Sequence, residues 1–218
     1  MITPALRLHD YPASCNCYKV RLLLSLLGAT WERVPVDIFA GDTLTDEFGS
    51  LNPARTTPVL EIGDRVLVES GAILWWLAAG THLLPDDEFE RAEVLRWLLY
   101  EQADVVPGIG GLRFRLMTGR IAGDSEEAGQ RRAAGLEVLA LLEATLRSRR
   151  YLVGGRLSIA DVAAYGYVHR ADEAGFELAG FPAVTAWLER VEAEPGYMED
   201  VEPYPANARP GAGASIYG

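Results

Sequence analysis

Residues 11–24, "YPASCNCYKVRLLL", bring Ser14, Cys15, Asn16, Cys17 and Lys19 into the few positions where a strand pattern gives way to a helix pattern. The preceding "ALRLHD" alternates as a short strand does. Val20 to Leu27 is apolar with helical spacing and stops at Gly28. Ser14, Cys15, Asn16 and Cys17 therefore fall at or just before a helix N-terminus. Unpaired backbone N–H groups and the positive end of the helix dipole favour an anion there. Two chemistries fit these residue types. A hydroxyl or amide, Ser14 or Asn16, donates to a bound anion; a thiol, Cys15 or Cys17, forms a mixed disulfide. Two purely structural roles compete with them: Ser14 or Asn16 as a plain N-cap, and the cysteines as small buried apolar residues. Lys19 is the one lysine among 20 basic residues, a bias that reflects composition more than function.

The rest of the composition narrows the choice. A chain of 218 residues is long enough for one large or two small domains with a real core. A formal net charge of −11 opposes nonspecific binding to nucleic acid or to an anionic membrane. The first residues lack a basic stretch followed by an apolar one, so no secretory signal is expected. The longest apolar run, "AILWWLAA", is too short to cross a bilayer, and a cytoplasmic protein is the expectation. Two cysteines spaced C-x-C form neither a disulfide framework nor a C-x-x-C redox pair. With His9, His82 and His169 they give no zinc-ligand spacing, so no metal is expected.

The elements that must position these residues alternate through the first eighty. After the opening strand and helix, 30–37 reads as a strand and 43–51 as a short helix ended by Asn52-Pro53. Two short strands, 59–62 and 65–68, are joined by a Gly63-Asp64 turn, and "SGAILWWLAAG" follows as a helix with Ser70 at its cap. The order is βαβαββα, a small mixed sheet with helices on both faces. Beyond it no strand signal remains. The spacing predicts a long helix from residue 88 that falters at Pro107-Gly108, another through 125–149, and one from 157 with the capping box Ser158-x-x-Asp161 and a Leu157–Val162 staple. A last helix has Pro182 near its first turn. The expected organisation is an α/β domain over 1–80, a linker at 81–88 and an all-helical domain over 89–218. The latter ends in a Pro-, Gly- and Ala-rich tail, mobile or laid across the surface.

This layout resembles the cytosolic glutathione S-transferase family. Four motifs carry the resemblance in order: "SCNCYKVRLLL", similar to the serine-containing entry to the first helix in theta-like and many bacterial members; "LNPARTTPVL"; "VESGAI"; and "LSIADVAAYGY". The resemblance implies a thioredoxin-like N-terminal domain and an all-α C-terminal domain, with glutathione as co-substrate. The activity it implies is addition of the glutathione thiolate to an apolar electrophile. It puts Ser14 at the catalytic position and Asp10 where the tyrosine-using classes have tyrosine; Tyr11, Cys15 and Asn16 remain alternatives. It makes Pro58 a cis-proline that aims the Thr57 backbone at the ligand, and gives the γ-glutamyl end to Glu69 and Ser70. Thr43 and Thr56 stand where relatives place basic or amide side chains for the glycyl carboxylate, and Arg55, where glycine is usual, supplies the missing charge. The electrophile pocket would lie between the domains, lined by Tyr11, Tyr100, Val106, Pro107 and Phe114. A two-fold homodimer is implied, supported by the all-round apolar "AILWWLAAG" and by Arg91 and Arg96 in "RAEVLRW". The competing functions are a glutathione-dependent thiol–disulfide oxidoreductase or peroxidase using Cys15, and a non-catalytic ligand-binding member.

Overall fold

The computed structural model describes residues 5–217. The chain divides into two compact units: residues up to Leu77 together with those from Met198 on, and Ala78–Tyr197.

In the first unit β1 (Leu6–Asp10), α1 (Cys15–Leu26), β2 (Glu32–Pro35), α2 (Asp46–Leu51), β3 (Val59–Ile62), β4 (Arg65–Val68) and α3 (Ser70–Ala78) follow in βαβαββα order. The sheet runs β2-β1-β3-β4, with β1 parallel to β2 and antiparallel to β3, and β3 antiparallel to β4. Register explains the layering. Leu6 and Leu8 lie opposite Ile62 and Leu60, so alternation puts four apolar side chains on one face. Val20 and Leu24 of α1 and Ile73 of α3 complete that buried cluster. Arg7 and His9 take the opposite face, where the His9 ring lies 6.0 Å from Phe48 of α2 and its Nε2 is 2.6 Å from Glu61. The helix expected over 43–51 is two pieces, a 3-10 turn at Asp42–Leu44 and then α2. Thr45 separates them because its hydroxyl caps α2 by accepting the Phe48 N–H at 3.2 Å.

The second unit is helical: α4 (Glu88–Tyr100), a π-helical stretch Glu101–Gly110, α5 (Gly111–Met117), α6 (Glu126–Leu146), α7 (Ile159–Val168) and α8 (Pro182–Glu192). The faltering expected at Pro107-Gly108 takes the form of π winding, and α winding resumes at α5. Pro107 has no N–H to give an α-helix, and the wider winding carries the chain past it into α5. Asp161 organises this core. Its Oδ1 accepts from the Leu152 N–H at 2.9 Å and the Trp187 indole at 3.0 Å, while Oδ2 accepts from the Ser158 backbone at 3.0 Å and hydroxyl at 2.9 Å. Burial pushes the Asp161 carboxyl up to about 6, against the pull of those four donors. Ser158 and Asp161 are thus a structural capping box.

The tail corrects the expected division, which assigned everything after residue 88 to the helical domain. It folds back on the first unit because α1 offers it a buried cation. Arg21, wholly buried, donates from Nε to both carboxylate oxygens of Asp200 at 2.9 and 2.8 Å. Its other nitrogens reach Asp10, the Pro12 carbonyl at 3.2 Å and the Asp200 carbonyl at 3.2 Å. Burial alone would lower the Arg21 pKa, but Asp10 and Asp200 more than offset it and hold the guanidinium charged. Tyr18 adds a bond to the Met198 carbonyl at 2.8 Å, and the Glu202 N–H one to Pro12 at 3.2 Å. Arg21→Met leaves Asp10 buried with Arg33 as its remaining partner at 2.5 Å. Removing one member of such a buried pair costs about 3–5 kcal/mol, to be read as a lowered urea midpoint at unchanged slope.

Candidate active site

Two helix N-termini meet at the carboxyl end of β1. Ser14 is the N-cap of α1: its backbone is extended (φ −81°, ψ 119°) and its hydroxyl accepts the Cys17 N–H at 3.2 Å. The cap uses an oxygen lone pair, and the O–H remains a donor that rotates to suit an acceptor. The turn before it is closed by the Ser14 N–H donating to the Tyr11 carbonyl at 3.0 Å. At α3 the helix begins one residue earlier than the expected cap. The Glu69 carbonyl accepts from the Ile73 N–H at 2.9 Å, so Glu69 is the N-cap and Ser70 the first helical residue. The Ser70 hydroxyl, relieved of capping, donates instead to Asn16 Oδ1 at 3.3 Å. That bond ties the first turn of α1 to the first turn of α3, and both dipoles present their positive ends to one place.

Glu69 carries a strained backbone. Its φ is 68°, a left-handed conformation rare outside glycine, and such strain of about 1–3 kcal/mol concentrates at ligand sites. The Glu69 side chain is exposed while Ser70 is buried. Arg55 has φ 56°. Its conformation follows from the Asn52 turn, where Asn52 Oδ1 accepts from Ala54 and its amide donates to the Thr56 carbonyl at 2.9 Å and hydroxyl at 3.1 Å. That turn delivers the chain to Thr57 and a cis Thr57–Pro58 bond. Arg55 Nη1 donates to the Thr43 and Thr45 carbonyls, each at 2.8 Å, so the guanidinium clamps the segment before α2. Thr43 is buried within that segment.

The cysteines lie under this site. Both are buried and unpaired with each other, Cys15 at 2% exposure and Cys17 at none. The Cys17 sulfur accepts from the Tyr11 N–H at 3.4 Å. Burial pushes the Cys17 thiol up to about 11; Asp10 adds to the rise, while bonds from Thr57, Tyr11 and Ser14 pull against it. Burial and that raised pKa leave the Cys17 sulfur little thiolate with which to react. Among the described residues no cluster of His, Cys, Asp or Glu has the makings of a metal site, and no helix is long and apolar enough to cross a membrane.

Tyr11 sits beside the Ser14 turn in a cavity of about 280 Å³, lined also by Pro12, Ala13, Pro35, Val36, Asp37 and three tail residues. Of the helical-unit residues expected to line the electrophile pocket, Tyr100 ends α4, Val106 and Pro107 lie in the π-helical stretch and Phe114 lies in α5. Pro107 is exposed and borders a cavity of about 240 Å³ with Glu127, Gln130, Arg131 and Ala134, which does not include Tyr100, Val106 or Phe114. Tyr100 is held protonated, its pKa pushed up to about 12 by burial and by Asp104 and Glu137. Phe114 has the Arg120 guanidinium 4.9 Å above its ring.

Family comparison agrees with this geometry. The glutathione S-transferase N-terminal domain profile matches residues 13–79, and the glutathione S-transferase C-terminal domain profile matches residues 105–195. The chain belongs to the glutathione S-transferase family. It is 32% identical to glutathione S-transferase 3 of Zea mays over 96% of this chain and 99% of that protein. It is 35% identical to maleylacetoacetate isomerase of Rhizobium meliloti, covering 82% and 87%. A crystal structure of glutathione S-transferase from Pseudomonas fluorescens superposes with a TM-score of 0.87 at 39% identity, covering 90% of this chain and 99% of that one. The family profile enters the first unit at residue 13, one position before the Ser14 cap.

Burial of both thiols in this transferase has a direct readout. Native protein is expected to react with an aromatic disulfide reagent negligibly at pH 8, and to expose both cysteines only in denaturant.

Proposed function

We propose that this glutathione transferase is of the serine type, with Ser14 holding the glutathione thiolate for attack on a small apolar electrophile. The observation that carries the reading is the junction of the α1 and α3 N-termini, bridged by Ser70 and Asn16 with the Ser14 hydroxyl beside it. A thiolate there accepts from Ser14 in a charge-assisted bond of about 1.5–3 kcal/mol. At roughly 1.4 kcal/mol per unit, that lowers the bound thiol's pKa by about one to two. Asn16, its Oδ1 already engaged by Ser70, keeps its amide nitrogen as a second donor.

The remaining assignments follow the same reading. The Thr57 backbone, presented by the cis bond to Pro58, pairs with the cysteinyl main chain as an added strand would. Ser70, at the start of α3, receives the γ-glutamyl carboxylate, and the exposed Glu69 its ammonium. Arg55 and Thr56 act on the glycyl end through the loop they shape, since Arg55 Nη1 already serves the Thr43 and Thr45 carbonyls. The burial of Cys15 and the raised pKa of Cys17 disfavour an oxidoreductase using either one. We place the enzyme in the cytoplasm as a homodimer. Exposed Phe89, Leu95 and Leu99 on α4 and exposed Trp76 on α3 are the apolar side chains a two-fold interface would cover.

Steady-state kinetics separate the roles. Ser14→Ala is expected to lower kcat by about ten- to a hundredfold, to shift the pH profile up by about one to two units and to leave the glutathione KM nearly unchanged. Ser70→Ala is expected to raise the glutathione KM about tenfold with the ranking of electrophiles preserved. If Ser14→Ala keeps normal turnover, the assignment fails.

A further inference from the structure

From Asp200 on, the tail is a strap with two separate sets of anchors. The first, at Asp200 and Glu202, holds Arg21 and the Pro12 carbonyl beside Ser14. The second holds residues 36–45, the segment between β2 and α2 that carries only the 3-10 turn at Asp42–Leu44 and a bridge at Ala40. Asn207 Nδ2 donates to Asp37 Oδ2 at 2.9 Å. Ala214 donates its N–H to the Phe39 carbonyl at 2.8 Å and forms a parallel bridge with Ala40. Gly213 has no room for a side chain between them: a Cβ would run into the Phe39 carbonyl oxygen and meet that of Asn207 at 2.7 Å.

Hydrogen bonds carry this second hold through the segment to α2. Asp37 is the joint: its Oδ1 accepts from the Phe39 N–H at 2.9 Å, and its own N–H donates to Asp42 Oδ2 at 2.7 Å. The Asp42 carbonyl accepts at 3.0 Å from the hydroxyl of Thr45, the residue that caps α2. Arg55 holds the same stretch through the Thr43 and Thr45 carbonyls. A Cβ on Gly49 would meet Arg55 Nη2 at 2.7 Å, so the guanidinium lies close against α2. The segment is thus bound by the strap and by the loop that runs through Arg55 and Thr56 to Thr57. A segment without a backbone ladder of its own takes its order from such bonds, and losing one set loosens it locally. The Ser14 turn does not depend on them, because Arg21 fixes it through Asp10, Pro12 and Asp200, all reached before Asn207.

We propose that Asn207 and Gly213 are positioning residues for the glycyl end of glutathione. They act through the 36–45 segment, which the strap and Arg55 fix together, and so through the loop that presents Thr56 and Thr57. The proposal rests on the glutathione reading above and divides the strap: Asp200 serves the thiolate half of the site, Asn207 and Gly213 the glycyl half. Loss of their hold lets Arg55 and its two carbonyl partners shift together. That loosens the glycyl subsite and leaves the helix ends at Ser14 and Ser70 where they are.

Titration calorimetry with two peptides tests it: glutathione, and γ-glutamylcysteine, which lacks the glycyl residue. Wild type is expected to bind glutathione more tightly than γ-glutamylcysteine. Asn207→Ala removes the bond to Asp37, and Gly213→Ala forces the strap away from Phe39. Each should raise the glutathione Kd about three- to tenfold. The γ-glutamylcysteine Kd and the ionisation midpoint of the bound glutathione thiol should keep their wild-type values, whereas a general loss of structure would move both peptides alike. Equal weakening of the two peptides, a shifted thiol midpoint, unchanged Kd values in both variants, or tighter binding of glutathione overturns this proposal alone. So does a wild type that binds the two peptides equally. A wild-type chain that binds neither peptide overturns the glutathione reading and this proposal with it.

Discussion

One buried guanidinium holds the working parts of the first unit together. Arg21 on α1 bonds Asp10 at the end of β1, the Pro12 carbonyl in the following turn, and Asp200 at the start of the strap. Arginine is required here because one planar fork serves a carboxylate, a carbonyl and a second carboxylate at once, which an ammonium does not match. The β1–α1 turn therefore has little freedom, and Ser14 inherits that rigidity as the last residue before α1. Asp10 itself is buried by this network and its role is structural; in the serine-type reading proposed above, the chemistry falls to the Ser14 cap.

In the proposed reading a rigid cap matters because the site would work by electrostatics already in place. The helix ends at Ser14 and Ser70 are fixed against each other through Asn16, so a developing or resident thiolate meets oriented donors without reorganisation. The strained φ of Glu69 belongs to the same arrangement: a residue with φ 68° turns β4 sharply enough into α3 for Ser70 to lie buried beside Asn16. Beneath them Cys17 contributes bulk and a soft acceptor for the Tyr11 N–H. Of the two chemistries that Ser14 and the cysteines offered, burial of both thiols favours the hydroxyl.

Much of this was legible in the chain because it is local. The Ser14 cap, the Gly63-Asp64 turn, the Thr57-Pro58 segment and the Ser158–Asp161 capping box all depend on residues within a few positions of one another. Ser70 as the cap of α3 was off by one, because the serine found a better partner in Asn16, 54 positions away, and a strained glutamate took the cap. The charge of Arg55 is visible in the sequence; its two carbonyl partners are not. The strap was the least legible part. Its anchors pair residues about 170 to 190 positions apart, and a Pro- and Gly-rich segment without periodicity carries no sign of what it covers. That the helix would falter at Pro107 was legible, but its π winding was not, since that depends on the helices packed around it.

The central claim is that the Ser14 hydroxyl at the α1 N-terminus stabilises the glutathione thiolate. Its most direct test is the ultraviolet absorbance of the bound thiolate, titrated with pH in the binary complex without electrophile. The account predicts that glutathione bound to the wild-type enzyme ionises about one to two pH units below free glutathione, and that Ser14→Ala returns the midpoint most of the way to the free value. An unchanged midpoint in Ser14→Ala, with glutathione still bound, would contradict it.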